Sequence, residues 1–320
     1  MLELLNHVKK GLIMGIVVFG AVFVDIKGYP INQFVQDGRN AGKVIQTHGG
    51  VSRNVVEDIA NVELRPTFVS VVDQTGIGAD VIDKLNRHKV NTQYIQRTED
   101  GLGTWLAIFN NEGDVVASIS KRPDLAAIAE TLEQYGDEII SQADSVVVEI
   151  DMEADLLNKI FELADKYNKK VYAVVSNMSI AMERRDLMKR TGCVVCNLQE
   201  AEILFSADYS NYSLSELSDV IAENAKNAHY PKIVVTLGED GAIYSDENGY
   251  GICPPQRTAV VDTTGAGDAF FAGVAIGLTY NKTLEQACLI GTKLASSVIA
   301  TKENVCPRFQ PGEFNITVSK

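Results

Sequence analysis

The chain has 320 residues, of which 46% are hydrophobic and 22% charged. That composition is ordinary for a globular protein long enough to bury a full core, in one large domain or two smaller ones. It excludes intrinsic disorder, collagen-like repeats and small disulfide scaffolds. With 29 basic against 42 acidic residues the net charge is −13, so a nucleic-acid polymer, which calls for a basic surface, is not an expected partner.

At the N-terminus, Lys9-Lys10 followed by apolar residues from Leu12 to Val24 imitates a secretion signal. The run is too short to span a bilayer, Glu3 precedes it, and no small-x-small cleavage site is well placed. Residues 1–12 therefore read as a tail and 13–24 as a first buried strand closed by Asp25. No membrane partner is expected. Further buried-strand runs lie at 66–72, 145–150, 170–175, 193–197 and 232–237. Helical spacing marks 50–61, 154–167, 214–228 and 284–301. Apolar strands alternating with amphipathic helices predict an α/β fold, a doubly wound and mainly parallel sheet flanked by helices.

Two stretches break the rhythm. Residues 27–48 are polar and turn-rich, and 91–120 contain a hairpin pattern with an Asn110-Asn111-Glu112-Gly113 turn. These insertions are expected to pair as a small antiparallel sheet beside a core made of 13–26, 49–90 and 121–320. The five cysteines, an odd count at irregular spacing, indicate reduced thiols and a cytoplasmic setting. Cys193 and Cys196 have the spacing of half a zinc knuckle. No second pair follows, so they read as part of a buried strand.

The strongest chemical signal is the string D-T-T-G-A-G-D-A-F-F-A-G at 262–273. An apolar strand end at 259–261 leads into a glycine turn and then a helix of small and apolar residues through Leu278. Backbone N–H groups of Gly265, Ala266 and Gly267 would stand free at the helix N-terminus, an arrangement that binds anions. A carboxylate there, Asp268, would repel an anion unless it has chemical work, such as taking a proton from an attacking hydroxyl. The plain alternative is an acidic first turn of an ordinary helix. The string is not a Walker A loop, and Gly38 to Val44 only imitates one. It is not a dinucleotide fingerprint either, because Phe270 stands where a third glycine is needed.

The string resembles the C-terminal signature of the ribokinase-like, or PfkB, family of sugar and nucleoside kinases. Other segments are similar in the same order: G-A-V-F-V-D at 20–25, G-G-V-S-R-N at 49–54, N-L-Q-E at 197–200 and T-L-G-E-D-G at 236–241. The resemblance covers about 13–310 and implies a ribokinase-like fold in which the small sheet is a lid. It implies ATP-dependent phosphorylation of a primary hydroxyl, with Asp268 as base and the 265–267 amides stabilising the moving phosphoryl. Asp25, Gly49, Gly50 and Asn54 would hold the acceptor, and Asn197, Thr236, Gly238, Gly241 and Thr264 the nucleotide. Glu200 would hold Mg²⁺ through water, and Asp262 with Thr264 a monovalent cation such as K⁺. Each also has a plain reading: a turn aspartate for Asp25, an exposed polar residue for Asn54, a solvated helix start for Glu200.

The chain departs from the family pattern at His48, before the glycine pair, and at 174–177, where many members carry an aspartate-proline element. Lys121-Arg122 reads as a solvated basic pair, with a place facing the site as the other reading. Segments 40–43, 49–54, 103–104 and 111–117 are more similar to the pseudouridine kinase branch than to ribokinases. Pseudouridine is therefore the first expected acceptor, followed by another nucleoside or a free sugar such as ribose or fructose. A homodimer through the lid is expected if the lid's outer face is apolar. A non-catalytic sugar- or nucleotide-sensing module on the same fold is the reading from a different class.

Overall fold

The computed structural model describes residues 15–317. The strands in chain order are β1 (Ile16–Phe19), β2 (Phe23–Pro30), β3 (Gly42–Gly49), β4 (Thr67–Val72), β5 (Asn91–Arg97), β6 (Gly103–Phe109), β7 (Val115–Lys121), β8 (Ser145–Glu149), β9 (Val171–Val174), β10 (Val194–Asn197), β11 (Ile233–Thr236), β12 (Ala242–Asp246) and β13 (Gly249–Cys253). The helices are α1 (Val51–Asn61), α2 (Gly76–Arg87), α3 (Ala126–Gln142), α4 (Ala154–Lys166), α5 (Met178–Glu183), α6 (Arg185–Lys189), α7 (Leu198–Phe205), α8 (Leu214–Asn227), α9 (Ala266–Thr279) and α10 (Leu284–Ile299).

Among the described residues the strands form a nine-stranded sheet, in the order β13-β12-β11-β10-β9-β8-β1-β4-β5, and a four-stranded sheet, β3-β2-β6-β7. From β11 to β5 the large sheet is parallel, and β12 and β13 add an antiparallel edge. Its central strands are apolar on both sides because helices cover both faces. Ile16 and Val18 face a core shared with α1, α2, α9 and α10. Val17 and Phe19 face another, filled from α3, α4, α7 and α8. This is the α/β architecture that the sequence predicts, with a separate small sheet.

Four local expectations are corrected. The apolar run around β1 is not one strand. β1 ends at Phe19, and the chain crosses between sheets before β2 starts at Phe23, so Asp25 lies on the small sheet. The crossing is pinned where Ser70 Oγ donates to the Gly20 carbonyl at 2.6 Å and the Ala21 N–H donates to Glu149 Oε2 at 3.2 Å. Residues 91–97 do not belong to the small sheet. They form β5, an edge strand whose polar pattern reflects its exposed side. The small sheet also begins earlier than 27, at Phe23, and runs through Gly49. Finally, 259–261 forms no strand, and Val260 and Val261 are exposed. The expected tail at 1–12 lies outside the described residues.

Cys193 and Cys196 pack on opposite faces of the large sheet, so they cannot close on one metal ion. All five cysteines are free and buried. Among the described residues no helix is long and apolar enough to cross a membrane.

Candidate functional site

Parallel sheets present ligands at the carboxyl ends of their strands. Here β8, β10 and β11 end at Glu149, Asn197 and Thr236, and two glycine-opened helices, α1 and α9, start beside that edge. α9 begins after Gly265, which is left-handed at φ +83° and carries no side-chain cap. A Cβ at Gly265 would sit 2.1 Å from the Asn304 carbonyl oxygen, so only glycine fits. A Cβ at Gly267 would meet nothing within 4 Å. The first turn of α9 therefore offers the Gly265 and Gly267 N–H groups, with the positive end of the helix dipole behind them; the Ala266 N–H, expected to stand free with them, instead donates to the Thr263 carbonyl at 3.2 Å and closes the turn.

Asp268 stands in that first turn, partly accessible. Desolvation by the surrounding walls raises its carboxyl to about 6, against the opposing effects of the Asn54 amide and the Arg53 charge. Asn54 Nδ2 donates to Asp268 Oδ2 at 2.6 Å. This contact joins residues 214 positions apart. The Oδ1 atom of Asn54 is buried and, among the described residues, lacks a hydrogen-bond partner.

α1 opens on Gly50, at φ +95°, and buries almost all of its length, polar residues included. Arg53 is fully buried; its guanidinium donates to Glu57 Oε2 at 2.6 Å and to the His48 and Gly49 carbonyls. Desolvation alone would raise the Glu57 carboxyl, but Arg53, Lys84 and His88 hold it below its ordinary value. Arg53 thus clamps the glycine pair. A Cβ at Gly49 would sit 2.7 Å from Asp25 Oδ1, so the pair lets the Asp25 carboxylate press against the loop. Desolvation raises the Asp25 carboxyl, and Lys27 and Arg53 oppose that. His48, the family departure, supports the glycine pair through its backbone and lines a cavity with Asp80 and Asp262. Its carbonyl is what Arg53 and Asn304 hold, while its ring turns to Asp80 at 3.1 Å.

A cavity of about 1030 Å³ runs along α9 and is lined by Asn197, Thr236, Gly238, Gly241, Ala266 and Gly267. Four of these, Asn197, Thr236, Gly238 and Gly241, come from the two sequence segments that the resemblance assigned to the nucleotide, and Ala266 and Gly267 from the segment it assigned to the moving phosphoryl. Thr264 does not join them. It lines a neighbouring cavity of about 350 Å³ with Asp262, whose Oδ1 accepts the Thr264 N–H at 2.9 Å. That hydrogen bond is the main reason the Asp262 carboxyl lies below its ordinary value. Glu200 is bound into a capping box with Asn197: Asn197 N donates to Glu200 Oε2 at 2.8 Å, and Glu200 N donates to Asn197 Oδ1 at 2.9 Å. Desolvation raises its carboxyl, and nearby Asp151 adds to the rise. A larger cavity, about 1580 Å³, opens at the opposite edge of the sheet. It holds none of these motif residues, and its Lys232 is paired with Asp246 and Glu247.

Comparison with known proteins shows the family. The pfkB family carbohydrate kinase model matches residues 15–306. The chain belongs to the pfkB family. It is an ATP-dependent phosphotransferase acting on a sugar or nucleoside. A guanosine-inosine kinase of Exiguobacterium acetylicum is 35% identical over 90% of this chain and 95% of that protein. A pseudouridine kinase of Escherichia coli is 28% identical over 81% and 82%. Among solved structures, Arabidopsis thaliana ribokinase complexed with ribose and ATP superposes with a TM-score of 0.80 at 18% identity, covering 93% of this chain and 97% of that one. That likeness shows a shared fold.

Some residues at the site escaped the sequence reading. Glu149 accepts from Ser52 Oγ at 2.8 Å and from the Ala21 N–H, tying α1 to the sheet crossing. A carboxylate closing an apolar strand was the available signal. Val260, Phe270, Ala295 and Ile299 give the 1030 Å³ cavity an apolar wall. Val260 read as strand because an apolar run does not reveal whether it packs inward or lines a cleft. Lys121 and Arg122 part company: Lys121 pairs with Asp100 at the surface, and Arg122 turns inward to Asp151.

Proposed function

We propose that this pfkB-family kinase phosphorylates the primary hydroxyl of a purine nucleoside. What carries the reading is the 2.6 Å contact between Asn54 and Asp268, which brings the glycine-pair segment to the glycine cradle of α9. The guanosine-inosine kinase relative supports a purine nucleoside as the acceptor. Pseudouridine, the acceptor expected from the sequence, is the second reading and is favoured by the pseudouridine kinase relative.

In this mechanism Asp25 and Asn54 hold the sugar hydroxyls, the Asp25 carboxylate by accepting from them. The reacting hydroxyl gives its proton to Asp268 as its oxygen attacks the γ-phosphorus. The bond to the β–γ bridging oxygen breaks, and ADP leaves with the electron pair. The N–H groups of Gly265 and Gly267 meet the charge on the moving phosphoryl. The nucleotide lies along Asn197, Thr236, Gly238 and Gly241, with its base against Val260 and Ile299.

Among the described residues no cluster of three or more His, Cys, Asp or Glu side chains is set to hold a metal. That suits Mg²⁺ kept by water and phosphate with one carboxylate, Glu200, rather than by a protein cage. When bound, Mg²⁺ would neutralise charge between the phosphates. Asp262 and Thr264 line a cavity suited to a monovalent cation such as K⁺. The small sheet serves as the lid: Asp25 lies on its inner face beside Trp105, its register partner. Leu106 and Ile119, paired on the other face, are exposed, with Val44 one row away. That face fits a second copy of this chain, which sedimentation at rising protein concentration would reveal as a dimer. The free buried thiols support a cytoplasmic setting.

The test is ADP release from Mg-ATP in the presence of inosine, guanosine, pseudouridine or ribose. A purine nucleoside should give the highest kcat/KM. Asp268→Asn should lose about 10²–10⁴-fold in kcat while still binding both substrates. Binding by the wild type without any acceptor-dependent ADP release would favour the sensing module instead.

A further inference from the structure

A fourth cavity, about 460 Å³, lies between the start of β2, the entrance to α3 and the end of β8. Its size is within the range of small-molecule sites. Glu149 lines it and accepts from Ser52, two residues before Asn54, so it adjoins the acceptor end of the site. Phe23, Met152 and Leu156 contribute apolar surface. Arg122, Asp151 and Ser176 are its polar groups in mutual contact, and Asp124, Glu153 and Asp155 add further carboxylates to the lining.

The polar groups form a built arrangement. The Asp151 side chain is 1% exposed and that of Arg122 54%. Ser176 Oγ donates to Asp151 Oδ2 at 2.6 Å. Arg122 Nη2 donates to the same oxygen at 3.3 Å, and its Nη1 to the Asp151 carbonyl at 3.4 Å. These are long bonds for a guanidinium and a carboxylate. A guanidinium has five donors in a planar fork and accepts nothing, so Arg122 keeps donors to spend on a ligand. Its position one residue after β7 means that the small sheet carries it to the cavity.

We infer that this cavity is the nucleobase subsite, and that Arg122, oriented by buried Asp151, reads a 6-oxopurine by donating to its O6 and N7. The inference rests on the purine nucleoside reading above and deepens it. Two adjacent acceptors match an arginine fork, as at guanine edges generally. Adenine presents an amino donor at position 6, which faces the fork with like polarity. Pseudouridine places a ring N–H beside its carbonyl and offers no such pair. Phe23 and Met152 take the flat ring. Arg122 is a specificity-determining residue in this account, and Asp151 a positioning one.

Inosine and 7-deazainosine separate this contact from general binding, because the deaza compound keeps O6 and replaces N7 with C–H. For the wild type, kcat/KM for inosine should exceed that for 7-deazainosine by about tenfold or more. In Arg122→Lys, which keeps a cation beside Asp151 but has no fork, the ratio should fall to near one. Arg122→Leu should give the same ratio, and thermal melting of both variants shows that they remain folded. A ratio unchanged in folded Arg122→Lys, or a wild type that treats the two compounds alike, overturns the subsite while leaving a purine nucleoside kinase standing. Phosphorylation of ribose and of no nucleoside overturns the nucleoside reading itself and the subsite with it.

Discussion

Two helices meet at the Asn54–Asp268 contact, and each opens on a left-handed glycine with no side-chain cap. Beyond that they are built in contrasting ways. α1 is lined with buried polar groups that are mostly committed: Arg53 to Glu57 and two carbonyls, Asp58 to the Cys306 N–H, Asn61 to the Cys306 carbonyl. α9 is apolar along nearly its whole buried length and has one acidic residue in its first turn. One helix has spent most of its polar groups on holding loops in place, with Asn54 Oδ1 and Asp58 Oδ2 left over without a hydrogen-bond partner among the described residues. The other keeps the Gly265 and Gly267 donors at its N-terminus unspent, with the Ala266 N–H closing its turn on Thr263. A supporting element needs satisfied groups, because a buried unsatisfied one costs about 1–3 kcal/mol. A reactive element needs donors that only the reaction will use.

The comparison is broken most sharply within α9 itself. Gly265→Ala drives a methyl group against the Asn304 carbonyl at a backbone angle that alanine avoids. It should cost about 1–3 kcal/mol of stability, read in a denaturant melt, and lower activity with it. Gly267→Ala meets no protein atom. Its melt should stay within about 0.5 kcal/mol of the wild type, while the methyl group fills space meant for phosphate and kcat falls about tenfold or more. Equal losses of stability in the two variants would show that the cradle is packed against protein rather than open to a ligand.

Much of this was legible before the fold was known, because the pattern of residues carried it. Strand runs such as 66–72 and 145–150 became β4 and β8 with ends shifted by a residue or so, since β-branched runs flanked by polar helices fit only a covered parallel sheet. The segments around Asn197, Thr236 to Gly241 and Ala266 to Gly267 that line the 1030 Å³ cavity were each recognisable by their glycine and polar spacing. What remained hidden depends on partners distant in sequence. Nothing local tells that the chain changes sheets after Phe19; that follows from Ser70 and Glu149 receiving Gly20 and Ala21. Nothing local separates Lys121 from Arg122, whose different fates are set by Asp100 and Asp151. The role of Asn54 is likewise visible only once α9 lies against α1.

That role sets the smallest and most diagnostic prediction. As a base Asp268 works only when ionised, and desolvation raises its carboxyl to about 6. Activity should therefore climb with pH through about 6 and fall tenfold per pH unit well below it. The Asn54 amide donates to the carboxylate, which favours the charged form and restrains the rise. In Asn54→Ala that restraint is gone, so the acid limb should move from about 6 toward neutrality. At pH 8, where Asp268 is ionised in both proteins, the remaining deficit reports lost sugar contacts and should appear mainly in the acceptor KM. A limb that stays put while KM rises would mean that Asn54 only binds the acceptor. A limb that moves makes it the residue through which the supporting helix tunes the reactive one.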